Sequence, residues 1–192
     1  MNKWNTPYKN LVVPEPYGDT ITYRLGSDWL HNCSTVEDWG CGAGWFRRFC
    51  KSQYIGIDGS DTPFLTKKVD LVNYRSSVEG IFMRHVLEHN YDWKAILENA
   101  LESFSKRMCL ILFTPLTEKT TVITTNPVYG DVPDISFSMK ELKSIFEKHN
   151  VSYTYETFKT ETQYNTETTI YIEKPNRPSF PSSPIQTYPY VS

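Results

Sequence analysis

The stretch Asp38-Trp39-Gly40-Cys41-Gly42-Ala43-Gly44 constrains this chain more than any other. Its three glycines are spaced by single residues. They follow a short strand-like run, Thr35 to Asp38, and precede Trp45 to Lys51, where Trp45, Phe46 and Phe49 are apolar and Arg47, Arg48 and Lys51 turn outward at helical spacing. Glycine is used in such a strand-to-helix turn because the backbone there must adopt conformations closed to other residues, or come close to a ligand. The pattern therefore predicts an α/β sheet with a ligand-binding turn at the carboxyl end of a strand.

The spacing alone is shared by several nucleotide sites. Two carboxylates narrow it. Asp38, ahead of Gly40, would repel a pyrophosphate on the helix N-terminus and attract a ligand carrying an ammonium group. The glycines also read GxGxG, which departs from the dinucleotide pattern GxGxxG. Asp58 closes the next strand, Gln53 to Asp58, where a carboxylate accepts hydrogen bonds from both ribose hydroxyls. Each such charge-assisted bond is worth roughly 1.5–3 kcal/mol. The pair suits a ribonucleoside bearing a cationic amino acid. The alternative is that both carboxylates only cap neighbouring elements.

Further strands are predicted at Lys68 to Val72, Gly80 to Arg84 and Met108 to Phe113, the last continuously apolar as in a parallel strand covered on both faces. A helix from about Asp92 to Ser105 carries Trp93, Ile96, Leu97, Ala100, Leu101 and Phe104 at helical spacing, and residues 21–31 place Leu25 and Trp29 on another helical face. Thr114 to Phe137 reads as a long Thr- and Pro-rich connection. Ser138-Met139-Lys140-Glu141 reads as a capping box opening a helix to about His149. Val151 to Phe158 and Thr168 to Glu173 alternate as an antiparallel pair. The expected fold is a Rossmann-like α/β three-layer sandwich, with a seven-stranded, mostly parallel sheet ending in an antiparallel C-terminal hairpin.

A length of 192 residues suits one domain. The expected division is an N-terminal arm and helix acting as a lid (1–34), the main domain (35–174) and a Pro-rich tail (175–192). In that tail Pro175, Pro178, Pro181 and Pro184 recur every third residue, either as a loose tail or as a polyproline II docking segment. Twenty basic against twenty-two acidic residues give a net charge of −2, so no basic stripe marks a nucleic-acid partner. Cys33, Cys41, Cys50 and Cys109 are widely spread with no CxxC pair, which argues for reduced thiols and a cytoplasmic protein. No signal-peptide region or membrane span is evident in the sequence.

Val36-Glu37-Asp38-Trp39-Gly40-Cys41-Gly42-Ala43-Gly44 resembles the first motif of class I S-adenosylmethionine-dependent methyltransferases. Ile55-Gly56-Ile57-Asp58-Gly59-Ser60 is similar to their second motif, Val69-Asp70-Leu71 to the adenine-holding segment, and Glu79 to His89 to the fourth strand with its "LEH" turn. The resemblance covers residues 35 to about 115 and implies methyl transfer from S-adenosylmethionine, with S-adenosylhomocysteine as product. It implies that Asp38, Gly40, Cys41, Gly42 and Gly44 hold the methionine end, Asp58 and Gly59 the ribose, and Asp70 and Leu71 the adenine edge. Tyr17, with Gly18 and Tyr23, would fold over the cofactor. Two departures stand out. The helix between Asp58 and Asp70 is nearly deleted, and Glu79 replaces the usual aspartate.

His85-Val86-Leu87-Glu88-His89 also matches HxxEH, an inverted zinc-peptidase pattern with both imidazoles on one helical face. Its position just after a strand argues against that reading, and nothing in the sequence requires a metal. His85, at the carboxyl end of the fourth strand, is instead the candidate catalytic base for an attacking hydroxyl or amine. The alternative for His85 is a role in shape or hydrogen bonding. Arg84 would pair with an acidic substrate or with the cofactor carboxylate.

The methyl acceptor would meet residues 1–30 and 114–137, which carry Trp4, Tyr8, Tyr17, Tyr129, Asp131 and Asp134. A chain this short leaves no room for a separate substrate domain, so a small-molecule acceptor, methylated on O, N or C, is expected. Two alternatives stay open: a non-catalytic binding module on the same fold, and a nicotinamide-dependent oxidoreductase, which Asp38 and the glycine spacing disfavour.

Overall fold

The computed structural model describes residues 8, 10–14, 16–127, 130 and 132–175. Helix α1 (Ile21–Leu30) leads into β1 (Thr35–Trp39), a 3-10 turn (Trp45–Arg48), β2 (Gln53–Asp58), β3 (Lys67–Lys68) and β4 (Val78–Arg84). A second 3-10 turn (Leu87–His89), α2 (Trp93–Ser103) and β5 (Phe104–Leu112) follow, then β6 (Thr121–Asn126), β7 (Val132–Ser136), α3 (Met139–Lys148), β8 (Ser152–Phe158) and β9 (Glu167–Glu173).

Seven strands form one sheet in the order β3-β2-β1-β4-β5-β9-β8. β1 to β5 pair in parallel, and β9 runs antiparallel to both β5 and β8. Alternation along the central strands sorts their side chains onto two faces. Ile81, Met83, Met108, Leu110 and Leu112 join Leu97, Leu101, Leu142 and Phe146 in the larger core beneath α2 and α3. Phe82, Cys109 and Ile111 point the other way, to Tyr23 and Leu30 of α1 and to Phe46. Phe46 lies flat on Phe82 with ring centroids 3.6 Å apart. Helix α1 therefore forms one outer layer of the sandwich, and the α/β three-layer architecture read from the sequence is present.

Local details differ from expectation for identifiable reasons. Trp45 to Lys51 closes after a single 3-10 turn. Ser27 Oγ donates to the Phe49 carbonyl at 2.6 Å, taking an acceptor that a continuing helix would use, and β2 already begins at Gln53. β3 is two residues long, Lys67–Lys68, and stops where a strand over Lys68 to Val72 was expected. There the Asp70 carboxylate accepts from Val72 N at 3.1 Å and from Asn73 Nδ2 at 2.8 Å, which turns the chain instead of extending it.

The 114–137 connection contains an antiparallel two-stranded ribbon, β6 with β7. The run Thr121-Val122-Ile123-Thr124-Thr125 of β6 is β-branched throughout, which favours strand over loop. α3 starts after Ser138 as read, but its capping box is not made. Glu141 takes the Thr120 N–H at 3.0 Å, and Ser138 N donates to Thr120 Oγ1. Among the described residues no helix is long and apolar enough to cross a membrane. The tail from residue 176 on, with Pro178, Pro181 and Pro184, lies outside the described residues, as do Trp4, Tyr129 and Asp131.

Candidate active site

A cavity of about 970 Å³ opens at the carboxyl ends of β1, β2, β4 and β5. That is where ligands bind in open α/β sheets, because the strand order reverses there and the loops splay apart. Of the residues singled out for the cofactor or as base, all but Gly18 and Gly44 line it. The cavity has two chemically different ends.

At the first end the glycine turn is pinned by backbone. Gly40 N and Cys41 N both donate to the Ile57 carbonyl, at 2.8 and 3.0 Å. Gly40 has a φ of +76°, and a Cβ there would lie 2.4 Å from Val86 Cγ2, so only glycine fits. Gly44 acts in the same way and away from the cavity: its φ is +70°, and a Cβ would meet Phe64 at 2.5 Å. Gly44 thus shapes the turn.

Asp38 is buried, 3% exposed, and its Oδ2 accepts from Tyr54 Oη at 2.8 Å. Burial pushes its carboxyl up to about 7; Tyr54 opposes this, neighbouring Asp58 adds to it and Arg84 opposes it. A buried carboxyl that lacks a cation partner behaves in this way, and a ligand ammonium group would restore its charge. Asp58 Oδ2 accepts from Gly42 N at 2.9 Å, and its Oδ1 accepts from Ser60 N and Ser60 Oγ at 2.7 and 2.6 Å. Asp58 therefore caps the glycine turn while lining the cavity. Gly59 and Leu71 line the wall beyond it, and Asp70 lies exposed on the turn after β3.

The second end is assembled from distant segments. Arg84, at the end of β4, is 9% exposed, and its guanidinium is engaged on several sides. Nε donates to Thr22 Oγ1 at 3.1 Å, Nη1 to Tyr23 Oη at 2.8 Å, and Nη2 to the Tyr17 carbonyl at 2.8 Å and to Glu167 Oε1 at 2.7 Å. Here Arg84 ties the N-terminal arm and α1 to β9. The same side chain lines the cavity, where an acidic substrate or the cofactor carboxylate was expected to meet it.

His85 follows with a φ of +57°, a left-handed conformation that costs a non-glycine residue roughly 1–3 kcal/mol and is retained mainly at functional positions. Its Nε2 lies 2.6 Å from Glu167 Oε1. Burial, with the nearby Arg84 and His89, holds the imidazole well below its ordinary pKa and so neutral. The Tyr17 ring stands edge-on to it at 5.6 Å, and Phe113 packs against it at 4.8 Å and against His89 at 5.3 Å.

The left-handed turn at His85 and the 3-10 turn at Leu87–His89 mean that the two imidazoles do not share a helical face. They meet through Phe113 instead. His89 Nδ1 donates to the Pro133 carbonyl at 3.1 Å beside Asp134, whose Oδ2 accepts from Tyr164 Oη at 2.7 Å. Burial would raise the Asp134 carboxyl, but hydrogen bonds from His89 and Tyr164 outweigh it and hold it below its ordinary value. Behind this end, Glu88 is sealed in the core with one oxygen on Phe113 N at 2.7 Å, and burial pushes it up to about 7.

Glu167, Thr22, Tyr54, Gln163 and Tyr164 were not among the residues singled out. Glu167 sits at the head of an ordinary alternating strand, and no local pattern distinguishes it from Glu173 at the other end. Only the pairing of β9 beside β5 brings it to His85.

No protein-family model and no curated protein matches the chain. Solved structures do match. A magnesium protoporphyrin IX methyltransferase from Synechocystis PCC 6803, with bound S-adenosylhomocysteine, superimposes with a TM-score of 0.60 at 15% identity over 80% of this chain and 82% of that one. A 1,6-didemethyltoxoflavin-N1-methyltransferase from Burkholderia thailandensis, with bound 1,6-didemethyltoxoflavin and S-adenosylhomocysteine, gives 0.61 at 12% identity over 81% and 79%. An S-adenosylmethionine-dependent methyltransferase from Archaeoglobus fulgidus gives 0.57 at 16% identity over 77% and 89%. The chain has the Rossmann-like fold of class I S-adenosylmethionine-dependent methyltransferases.

Proposed function

We propose that this chain binds S-adenosylmethionine and transfers its methyl group to a small protic acceptor. The observation that carries the reading is Asp38, a buried carboxylate with no ion pair among the described residues, near the end of β1 and facing a cavity whose next wall carries the Asp58 carboxylate at the end of β2. The residues present fit such a cofactor. The glycine turn leaves open space that side chains would fill, and a Cβ on Gly42 would press on Tyr8 at 3.1 Å.

In this reading Asp38 and the turn from Gly40 to Gly42, with Cys41, hold the methionine end. Asp58 and Gly59 hold the ribose, and Leu71 with Asp70 flanks the adenine. Tyr17 lies beside the mouth. When bound, S-adenosylmethionine supplies a methyl group on a sulfonium, an electrophile that needs only an aligned nucleophile. The chain's own residues exclude water and orient the acceptor: Phe113 and Tyr17 give an apolar, aromatic wall, while Gln163 and Asp134 offer polar contacts at the rim. This mixture suits a compact, partly planar molecule. O-, N- and C-methylation are all compatible with this lining.

Calorimetry of the full chain tests the cofactor directly. S-adenosylmethionine and S-adenosylhomocysteine are expected to bind, and NADH is not. Binding of NADH in their place would favour the oxidoreductase alternative, and binding of neither would overturn the reading.

A further inference from the structure

We propose that Glu167 is a positioning residue for His85, holding the imidazole with its proton on Nε2 so that Nδ1 takes a proton from an acceptor hydroxyl or ring N–H. The proposal rests on the methyltransferase reading of the cavity.

The argument begins with one oxygen. Glu167 has no exposed surface, and its Oε1 is within hydrogen-bond distance of three groups: Arg84 Nη2 at 2.7 Å, Thr22 Oγ1 at 3.2 Å and His85 Nε2 at 2.6 Å. Arginine stays protonated in proteins, so Arg84 is always a donor. The Thr22 hydroxyl already accepts from Arg84 Nε, which directs its own proton to Glu167. Oε1 is therefore an acceptor, and the ring nitrogen facing it carries the proton. A neutral imidazole has a single N–H. The lone pair falls to Nδ1, which has no hydrogen-bond partner among the described residues, on a residue that lines the cavity.

The ring has little freedom to choose otherwise. The left-handed backbone at His85 sets the direction of its side chain, and Tyr17 and Phe113 pack against it. The groups facing it are Arg84 from β4, Glu167 from β9, His89 from the turn after β4 and Tyr17 from the arm. Burial, Arg84 and His89 oppose a charge on the ring; burial also raises the Glu167 carboxyl, and Arg84 and the Thr22 hydroxyl counter this in favour of its ionised form. The second oxygen, Glu167 Oε2, is buried with no hydrogen-bond partner among the described residues, an arrangement that costs stability.

In the step itself the acceptor's O–H or N–H bond breaks and its electron pair stays on the acceptor atom. The proton forms a bond to Nδ1, and the imidazolium is stabilised through Nε2–H by Glu167. General bases of this kind contribute typically 10²–10⁴-fold. The arrangement also limits the substrate class. A phenol, an alcohol or a ring N–H has a proton for this base to take, whereas a carboxylate, already ionised, does not.

The test is ¹⁵N-histidine NMR of the full chain, with His85→Gln used to identify the His85 signals. The native ring is expected to hold its proton on Nε2, and Glu167→Gln to shift the ratio of the two neutral forms by about tenfold towards Nδ1–H, the worth of one charge-assisted bond. A native ring protonated on Nδ1 overturns the proposal, and this measurement stands even if Glu167→Gln does not fold. An unchanged ratio in a folded Glu167→Gln overturns it too, leaving Glu167 as an anchor for Arg84 alone. Calorimetry with S-adenosylhomocysteine separates the two levels. Binding to the native protein with an Nδ1–H ring removes only the proposal, whereas no binding removes the methyltransferase reading and the proposal with it.

Discussion

At one end of the cavity the lining comes largely from residues 38 to 72, a compact run in which the next strand folds beside the last. At the other it comes from residues 17, 84, 85, 89, 113, 134 and 163, joined by contacts between distant segments, such as Arg84 to Thr22, His85 to Glu167 and Thr22 to Glu167, the last 145 residues apart. The first end is built largely from backbone, with a turn that tolerates only glycine at Gly40. The second is built from side chains satisfying one another. A backbone-built site can keep one ligand while much of the sequence changes, whereas a side-chain network can be rewired residue by residue. The contrast fits a common cofactor at one end and a particular acceptor at the other.

The sharpest way to break this division is to measure S-adenosylhomocysteine affinity on variants from each end. Asp38→Ala removes the carboxylate expected to meet the ligand ammonium, and about a hundredfold weaker binding is expected, the upper worth of a charge-assisted hydrogen bond. His85→Gln in the same calorimeter should bind within about twofold of the native protein, since no positioning contact to the cofactor depends on that ring. Equal losses in the two variants would mean that the ends are not separate.

Gly44→Ala addresses whether a residue of the glycine turn can matter without touching a ligand. Positive φ and the clash with Phe64 together are expected to cost roughly 2–3 kcal/mol, a fall in Tm of roughly 4–10 °C for a domain of this size. An unchanged Tm would show that the turn relaxes and that its geometry is not as restrictive as described.

The pH response differs between the ends as well. Asp38 is raised to about 7 by burial, so between its unfolded value and about 7 the native state holds more protons than the unfolded one. Its contribution to stability is therefore present at low pH and lost as pH rises to about 7, and Glu88, raised in the same direction, adds to this. Thermal melts of Asp38→Asn against the native protein should show the variant gaining Tm relative to the native chain as pH is raised over that range. Because an ammonium favours the ionised carboxylate, native affinity for S-adenosylhomocysteine should strengthen with pH up to about 7, by at most about tenfold per unit, and then level off. A flat native profile would remove Asp38 as the ammonium partner.

The smallest effect belongs to the second end of the cavity. Tyr164→Phe removes the hydroxyl that donates to Asp134 at 2.7 Å, which is expected to cost about 1 kcal/mol in urea unfolding and to leave cofactor affinity unchanged. A loss of cofactor affinity in this variant would tie the two ends together.

What could be read from the chain follows the same line. The glycine turn, Asp38 and Asp58 were legible because their meaning lies in spacing along one strand-turn-strand unit. The central strands were legible because β5 is apolar on both faces and because α2 repeats its buried positions at helical spacing. The shortening of β3 was harder, since it depends on Asp70 capturing Val72 and Asn73 instead of leaving the backbone to the ladder. The β6–β7 ribbon was hidden by its threonines and prolines, which suit loops and edge strands alike. The partners of Arg84 were not legible, because nothing near it in sequence announces Thr22, Tyr23, Tyr17 and Glu167.

Local sequence thus carries the fold class and the glycine-turn end of the cavity, since strand periodicity, glycine geometry and a carboxylate at a strand end act within a few residues of one another. The sheet order, and with it the meeting of His85 and Glu167, follows from long-range packing. β9 pairs with β5 because both bury the same apolar face, Ile170 and Ile172 beside Leu110 and Met108. That pairing sets Glu167 beside His85, a neighbour that its own segment does not reveal.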